Sequence, residues 1–554
     1  MKWRKVLLGS LAVVAGLGAL AWFQRLTLLQ YSLGWYTDIR FPREANHPVP
    51  WMEGPTKAAL PLAQRPPNII VILADDLGFN DVTTYGGGRA EEGVPTPAID
   101  SIARDGVRFG NGYAGSAVCT PSRAALMTGR YPWRFGLEYT PTPGAMGRVA
   151  GTLYADPDRL LPVHIDHDLA TKVKDFNDLG MPASETTVAE MLKSKGYHNI
   201  HIGKWHLGST PQMRPNNQGF DESLFMESGL YLPQNDANVV NSKQDFDPID
   251  KFLWPNMRFG VSYNGGKWFE PSKYLTDYFT DEAVTAIKRN KNHPFFMYLA
   301  HWGVHTPLQA SKADYDALPQ IKDHRRRVYG AMIRSVDRSV GRVLQTLREE
   351  GLDDNTIVIF TSDNGAPGYI GLPEVNQPYR GWKLTLFQGG LRVPYVAKWP
   401  GHIPAGTQYT QPVSNIDILP TVVAAAGGQM PTDRTLDGVN LLPYLQNNTA
   451  TQPPRTLFWR DGGYRTVQDH GWKLIRSELP KKDWLFNLNV DPTEKVNLAE
   501  REPQKLADLV ALLTAHHAKM PPSMWPSFLQ FPVMIDKTLD QKQLPQDEYT
   551  YWAN

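Results

Sequence analysis

Residues 68–74 form an uninterrupted apolar run that stops abruptly at Asp75 and Asp76, in the stretch PNIIVILADDLG. A run of strand length with no polar face must be covered on both sides, which is the condition of a central strand in a parallel sheet. Comparable runs recur in YHNIHIGKWHLG, HPFFMYLAHWGVHTP and NTIVIFTSDNG. Between them the apolar spacing predicts helices near residues 187–195, 277–289 and 324–350. Strand alternating with crossover helix specifies an α/β domain with a large mixed, mostly parallel sheet sandwiched by helices. In three runs polar residues follow the apolar stretch: Asp75 and Asp76, His301 and His305, Asp363 and Asn364. Ligands in open α/β sheets bind beyond these carboxyl ends.

The 554 residues exceed one ordinary core, so a second, smaller domain is expected. Residues 1–24 combine Lys2, Arg4 and Lys5 with a charge-free stretch from Val6 to Phe23. That composition marks export, as a signal peptide cleaved near Ala19-Leu20-Ala21 or as an N-terminal membrane anchor. With its basic residues on the cytoplasmic side, the bulk of the chain lies across the membrane. Residues 25–66 read as a proline-containing, extended tether, 67–450 as the main domain, and 451–554 as a C-terminal α+β domain with an antiparallel sheet. With 57 basic and 56 acidic side chains, no charge surplus points to nucleic acid as a partner. The basic triplet Arg325, Arg326 and Arg327 reads as a solvated helix face.

Asp75, Asp76, Asp363 and Asn364 would gather three carboxylates and an amide oxygen at one sheet edge, where repulsion demands positive charge between them. Oxygen donors favour Ca²⁺ or Mg²⁺ over Zn²⁺. The only cysteine, Cys119, cannot form an internal disulfide. It lies in GSAVCTPSRAALMTGR, where Pro121 and Ser122 open a helical segment whose N-terminus can receive an anion, with Arg123 close behind. Lys204 and His206 in GKWHLG, His305, and Lys383 in GWKLTLFQGGLRVP can complete an anion pocket.

CTPSRAALMTGR resembles the signature of the type I sulfatases, and NIIVILADDLG, HIGKWHLG, HTPLQ, VIFTSDNG, GGLRVP and LFNLNVDPTEKVNLA resemble further family motifs in the same order. The resemblance covers residues 67–500. It implies an alkaline-phosphatase-like fold, a catalytic domain over 67–450, and one Ca²⁺ held by Asp75, Asp76, Asp363, Asn364 and the side chain at position 119. It also implies that Cys119 is converted to Cα-formylglycine by a generating enzyme that acts as a maturation partner. Arg123 and His206 then address the aldehyde hydrate, while Lys204, His305 and Lys383 bind sulfate and assist the leaving group. Relatives often carry glutamate where this chain has Gln388, which puts a local ion pair in doubt.

The function implied is sulfuric ester hydrolysis, releasing sulfate from a sulfated carbohydrate or aryl sulfate through a formylglycine hydrate and a covalent sulfoenzyme intermediate. Two other readings stand beside it. One is a phosphonate monoester or phosphodiester hydrolase of the same superfamily. The other is a silent sulfated-glycan-binding protein, which would be marked by a missing nucleophile or ligand. Family likeness points towards arylsulfatases and N-acetylgalactosamine 4-sulfatases. Trp133, Trp205, Trp302 and Trp382 lie near the motifs and can stack on sugar rings, whereas His164, Asp166 and His167 read as a solvated loop. The absence of cysteine pairs and the simple N-terminus suggest a bacterial protein, periplasmic or anchored to the inner membrane facing the periplasm.

Overall fold

The computed structural model describes residues 25–87, 93–142, 160–174, 176–227, 229–446 and 452–554. The apolar stretch Val6 to Phe23 lies outside them. No helix among the described residues is long and apolar enough to cross a membrane.

Ten strands build the main sheet: β1 Asn68–Ala74, β2 Val107–Phe109, β3 His198–Gly203, β4 Glu222–Met226, β5 Val261–Tyr263, β6 Trp268–Phe269, β7 Phe295–Ala300, β8 Thr356–Ser362, β9 Tyr395–Lys398 and β10 Thr407–Tyr409. Their spatial order is β10-β2-β9-β8-β1-β7-β3-β4-β5-β6. The five central strands, β8-β1-β7-β3-β4, run parallel, while β9 and β5 pair antiparallel on either side. The apolar runs read from sequence are thus the centre of the sheet.

The principal helices are α1 Arg25–Arg40, α2 Cys119–Thr128, α3 Val188–Lys193, α4 Leu275–Arg289, α5 His324–Glu349, α6 Ile418–Ala425 and α7 Pro503–His517. Side chains of β1 alternate between two cores. Ile70, Ile72 and Ala74 pack with Phe279 and Ile287 of α4 and with Val336 and Val340 of α5. Ile69, Val71 and Leu73 pack with Leu126 and Met127 of α2, Leu192 of α3 and Leu419 of α6. Each fully buried aliphatic side chain contributes about 1.5–3 kcal/mol, which makes this strand an anchor for the loops beyond it.

Two local expectations change. Residues 25–40 are helical, not extended, because the first proline of this segment is Pro42 and only there is α-helical backbone disfavoured. Helix α2 starts at Cys119, two residues before the predicted opening, and Pro121 is accommodated in its first turn.

The C-terminal domain contains a four-stranded antiparallel meander, β11 Leu457–Asp461, β12 Tyr464–Asp469, β13 Trp472–Glu478 and β14 Lys481–Asn487. Leu509 and Leu513 of α7 share a core with its Leu474, Ile475 and Trp484, and with Tyr113, Leu386 and Phe387 of the larger domain. Trp459 donates to the Ala114 carbonyl and Tyr464 accepts from the Leu386 amide. The smaller domain therefore buttresses the loops around Cys119 and Lys383. A further sheet joins Leu529–Met534 to Tyr549–Ala553 and to His164–Ile165.

Candidate active site

The parallel register brings four chain segments to one edge. Asp75 and Asp76 follow β1, Asp363 and Asn364 follow β8, His301 follows β7 and Lys204 follows β3. Hydrogen bonds continue just past the strand ends: the Asp363 amide donates to Ala74, His301 to Leu73, and Lys204 to Ala300. Gly203 is required for the last of these turns. It has φ +108°, and a Cβ there would lie 2.0 Å from the Ala300 carbonyl oxygen. Three non-glycine residues at this edge also have positive φ: Asp76 and His206 at 61° and Leu384 at 77°. Strain of this kind persists where the surroundings over-determine it, and it clusters at functional sites.

Cys119 occupies the first turn of α2, whose residues are all buried. Its Sγ lies 3.6 Å from Asp75 Oδ1 and 4.0 Å from Asp76 Oδ1. Burial, and then the carboxylate of Asp363, push the thiol pKa well up, so it is protonated at neutral pH and a weak nucleophile. One turn on, Arg123 is fully buried, 2.9 Å from Asp363 Oδ2 and 3.3 Å from Asp75 Oδ2. It also donates to the Lys204 carbonyl and the Tyr298 hydroxyl. Burial opposes the guanidinium charge, but Asp363, Tyr298 and Asp75 outweigh it.

The other predicted cations converge on the same carboxylates. Lys204 Nζ is 2.6 Å from Asp75 Oδ2 and sits 4.6 Å from the centre of the Trp302 ring. Lys383 Nζ is 2.7 Å from Asp76 Oδ1. Burial lowers its proton affinity, yet Asp76 prevails and its pKa is raised. For Asp76, burial favours the neutral acid but Lys383 and His305 hold its carboxyl below the ordinary range. Asp363 is raised, by burial and then by Asp75, against the pull of Arg123.

The histidines divide. His305 Nε2 is 3.5 Å from Asp76 Oδ2, with Nδ1 2.7 Å from the Thr306 carbonyl. Burial depresses its pKa well below the usual value, only partly offset by Asp76. His206 is depressed by burial and then by Lys204, Arg123, His305 and Lys383, and its Nδ1 is buried without a hydrogen-bond partner. The hydroxyl of Thr120 ties the His206 carbonyl to α2. His301, however, turns away from the edge: its Nε2 meets Ser339 of α5 at 2.8 Å, and burial takes its pKa down to about 3.

The oxygen donors at this edge fit a hard cation. Ligand atoms of Asp75, Asp76, Cys119 and His305 all lie within 4.8 Å of one another. Asn364 Nδ2 donates to Asp76 Oδ1, which leaves the buried Asn364 Oδ1 without a partner. A buried amide oxygen beside three carboxylates is an unsatisfied acceptor of the kind a divalent cation satisfies.

A sequence model of the family described as Sulfatase matches residues 67–428, and one described as N-sulphoglucosamine sulphohydrolase, C-terminal, matches 381–520. The chain belongs to the sulfatase family. Sulfatases of this family are sulfuric ester hydrolases, and among its relatives is N-acetylgalactosamine-6-sulfatase of Homo sapiens, 36% identical over 398 residues, or 71% of this chain and 68% of the relative. Steryl-sulfatase of Rattus norvegicus is 30% identical over 77% of this chain and 78% of its own. Among solved structures, Ps i-CgsB in complex with k-i-k-neocarrahexaose aligns with TM-score 0.68 at 31% identity, covering 83% of this chain and 95% of that one.

Several features of this sulfatase site escaped sequence reasoning. Tyr369 donates to Asp76 Oδ2 at 3.3 Å, from a loop with no motif around it. Trp302 stacks on His305 with ring centres 4.1 Å apart. All four tryptophans singled out from sequence are buried in hydrophobic cores, Trp302 and Trp382 in one and Trp205 and Trp133 in two others. His164, Asp166 and His167 are exposed, with Asp166 capping a short helix through the Leu169 amide. At Gln388 the expected carboxylate is supplied from elsewhere: buried Glu494 accepts the Gln388 amide at 2.6 Å and pairs with buried Lys473 at 2.7 Å. The arginine triplet is paired as well, Arg325 with Asp540 and Arg326 with Glu374, while Arg327 lies over the Tyr315 ring.

Proposed function

We propose that this sulfatase releases sulfate from a sulfated carbohydrate, using Cα-formylglycine made from Cys119 by a maturation enzyme and one Ca²⁺. One observation carries the reading. A buried cysteine stands at a helix start, on the edge where Arg123, Lys204, His305 and Lys383 converge on Asp75, Asp76 and Asp363, with His206 tied to that helix through Thr120. The hydrated aldehyde would supply two hydroxyls on one carbon, one to displace the alcohol from sulfur and one whose deprotonation expels sulfate and restores the aldehyde. Asp75, Asp76, Asp363, Asn364 and the side chain at position 119 would hold the cation, which supplies Lewis-acid stabilisation of the sulfate oxygens.

The chain's own groups do the remainder. Lys204 and Lys383 neutralise sulfate charge as fixed donors. Lys383, held protonated because Asp76 overcomes its burial, keeps a positive charge and hydrogen-bond donors beside the departing oxygen. A neutral His305 donates Nδ1–H to Thr306, and the negative charge of bound sulfate raises the proton affinity of its Nε2, which then also faces the leaving oxygen. His206, neutral at pH 7, is the base for sulfate expulsion, with Arg123 orienting the hydrate. The sugar-related names of two relatives support a carbohydrate substrate. Export is supported by the basic start and the charge-free stretch from Val6 to Phe23.

Peptide mass analysis of active protein tests the reading: the segment containing Cys119 should be about 18 Da lighter than unmodified, as replacement of CH₂SH by CHO requires. Full activity with an intact thiol would overturn it. Catalytic efficiency on para-nitrophenyl sulfate should also exceed that on a phenyl phosphonate ester; the reverse preference would favour the phosphonate hydrolase.

A further inference from the structure

Beside Lys383 lies a cavity of 70 Å³, several times the space one water needs. Its walls come from two places far apart in the chain. Tyr369, Trp382 and Lys383 belong to the catalytic edge, whereas Phe531, Met534 and Trp552 belong to the two strands near the C-terminus. Lys383 and Tyr369 both touch Asp76, so two of its walls are shared with the candidate active site.

The chemistry of the lining is specific. Trp382 is only 6% exposed, and its Nε1 is buried with no hydrogen-bond partner. Trp552 Nε1 is likewise buried and unpartnered. Buried indole N–H groups normally find an acceptor, and these two tryptophans with unsatisfied donors line one cavity. Apolar faces lie alongside: the Phe531 and Trp552 rings are nearly parallel, 14° apart at 6.3 Å between centres. The charged lining residues are all engaged: Lys383 with Asp76 at 2.7 Å, Lys537 with Asp547 at 2.6 Å, and Asp247 accepting from the Ile249 amide at 2.9 Å. Aromatic faces with hydroxyl-seeking donors and compensated charge suit a neutral pyranose ring rather than a second anionic group.

The tail that carries Phe531 and Trp552 is fastened to the catalytic domain. Arg380, three residues before Lys383, pairs with Asp536 at 2.6 Å and also with Glu548. Arg325 pairs with Asp540 at 3.0 Å, and the Leu539 amide donates to Gly368. A Cβ at Gly368 would fall 2.9 Å from the Trp382 ring, so this loop packs closely on that indole.

We infer that the C-terminal strands Leu529–Met534 and Tyr549–Ala553 complete the leaving-group site, in which Trp382 and Trp552 hold an uncharged sugar ring of the sulfated substrate. The inference rests on the sulfatase reading above and adds the residues that select the alcohol.

Kinetics on three probes test it: para-nitrophenyl sulfate, N-acetylgalactosamine 6-sulfate and k-i-k-neocarrahexaose. The readout is the ratio of kcat/KM on the better saccharide to kcat/KM on the aryl sulfate. Trp382→Phe and Trp552→Phe keep a ring but remove the N–H, and each should lower that ratio about 5-fold, the value of one hydrogen bond. Trp552→Ala, which also removes the stacking face, should lower it about 50-fold, mainly through KM. Because Trp382 packs tightly, Trp552 on the tail provides the variant that does not depend on refolding of the catalytic edge. Equal losses on saccharide and aryl sulfate, or no change in the ratio, would overturn the leaving-group site while leaving the sulfatase reading intact. Wild-type protein bearing the formylglycine yet inactive on all three probes would overturn both.

Discussion

Lys204 Nζ and Asp75 Oδ2 lie 2.6 Å apart at the carboxyl edge of the sheet, with the lysine 5% exposed and the aspartate fully buried. Such a pair is expensive to break, because removing one partner leaves the other charge buried and unpaired. Lys204→Ala should destabilise the fold by about 3 kcal/mol, the lower end for a buried pair because Arg123 remains near Asp75. Through lost sulfate stabilisation it should also lower kcat on an aryl sulfate by about 100- to 1000-fold. Urea midpoints and steady-state rates check the two separately. A stability loss with normal turnover would remove Lys204 from the chemistry.

Cation binding should register as stability. Three carboxylates and the unpartnered Asn364 Oδ1 converge on one space, and a ligand that binds only the folded state stabilises by about 2.7 kcal/mol at a hundred-fold excess over Kd. Added calcium should raise Tm, and a chelator should reverse the rise. Asn364→Ala should shrink the response, as measured by calorimetry with calcium chloride as titrant.

Buried histidines and a buried acid bound the pH range. Burial takes His201 and His301 down to about 3. Their unfolded forms take up protons below about pH 6.5 while the folded forms resist, so stability is lost as pH falls below that value. Asp81 acts in the opposite sense. Burial, opposed by hydrogen bonds from Tyr329 and Gly78, pushes it up to about 8, so its contribution is full in acid and is lost as pH rises through about 8. Asp81→Asn should therefore remove a fall of Tm that runs from about pH 4 to about pH 8, read by thermal melts across that range.

Position 388 should resist a carboxylate. Its amide donates to Glu494, and the only buried cation paired with that carboxylate among the described residues is Lys473. The donor at Gln388 is the backbone N–H; the buried Gln388 side chain faces Gln468, so Gln388→Glu buries a carboxylate and should cost about 2–3 kcal/mol. Adding Glu494→Gln shows whether Glu494 feels the new charge. A double-mutant cycle by chemical denaturation measures the coupling; additive losses would show the two positions to be independent.

Much of this protein was determined by sequence alone. Unbroken apolar runs can be satisfied only by strands covered on both faces, and polar residues at their ends must then meet at one edge. That logic identified the central strands, the buttressing helices and the segments bearing Asp75, Asp76, Lys204, His305, Asp363 and Asn364, while the lone Cys119 stood out by its motif. The tertiary structure alone decided which charges pair: Lys204 with Asp75, Lys383 with Asp76, and Arg123 with both Asp75 and Asp363. It also turned His301 into the helical layer and brought Trp552 to the same cavity as Lys383. Periodicity encodes which face of a strand or helix is buried, because that is local. Partner choice between residues hundreds of positions apart depends on where loops end in space, and no local pattern carries that information.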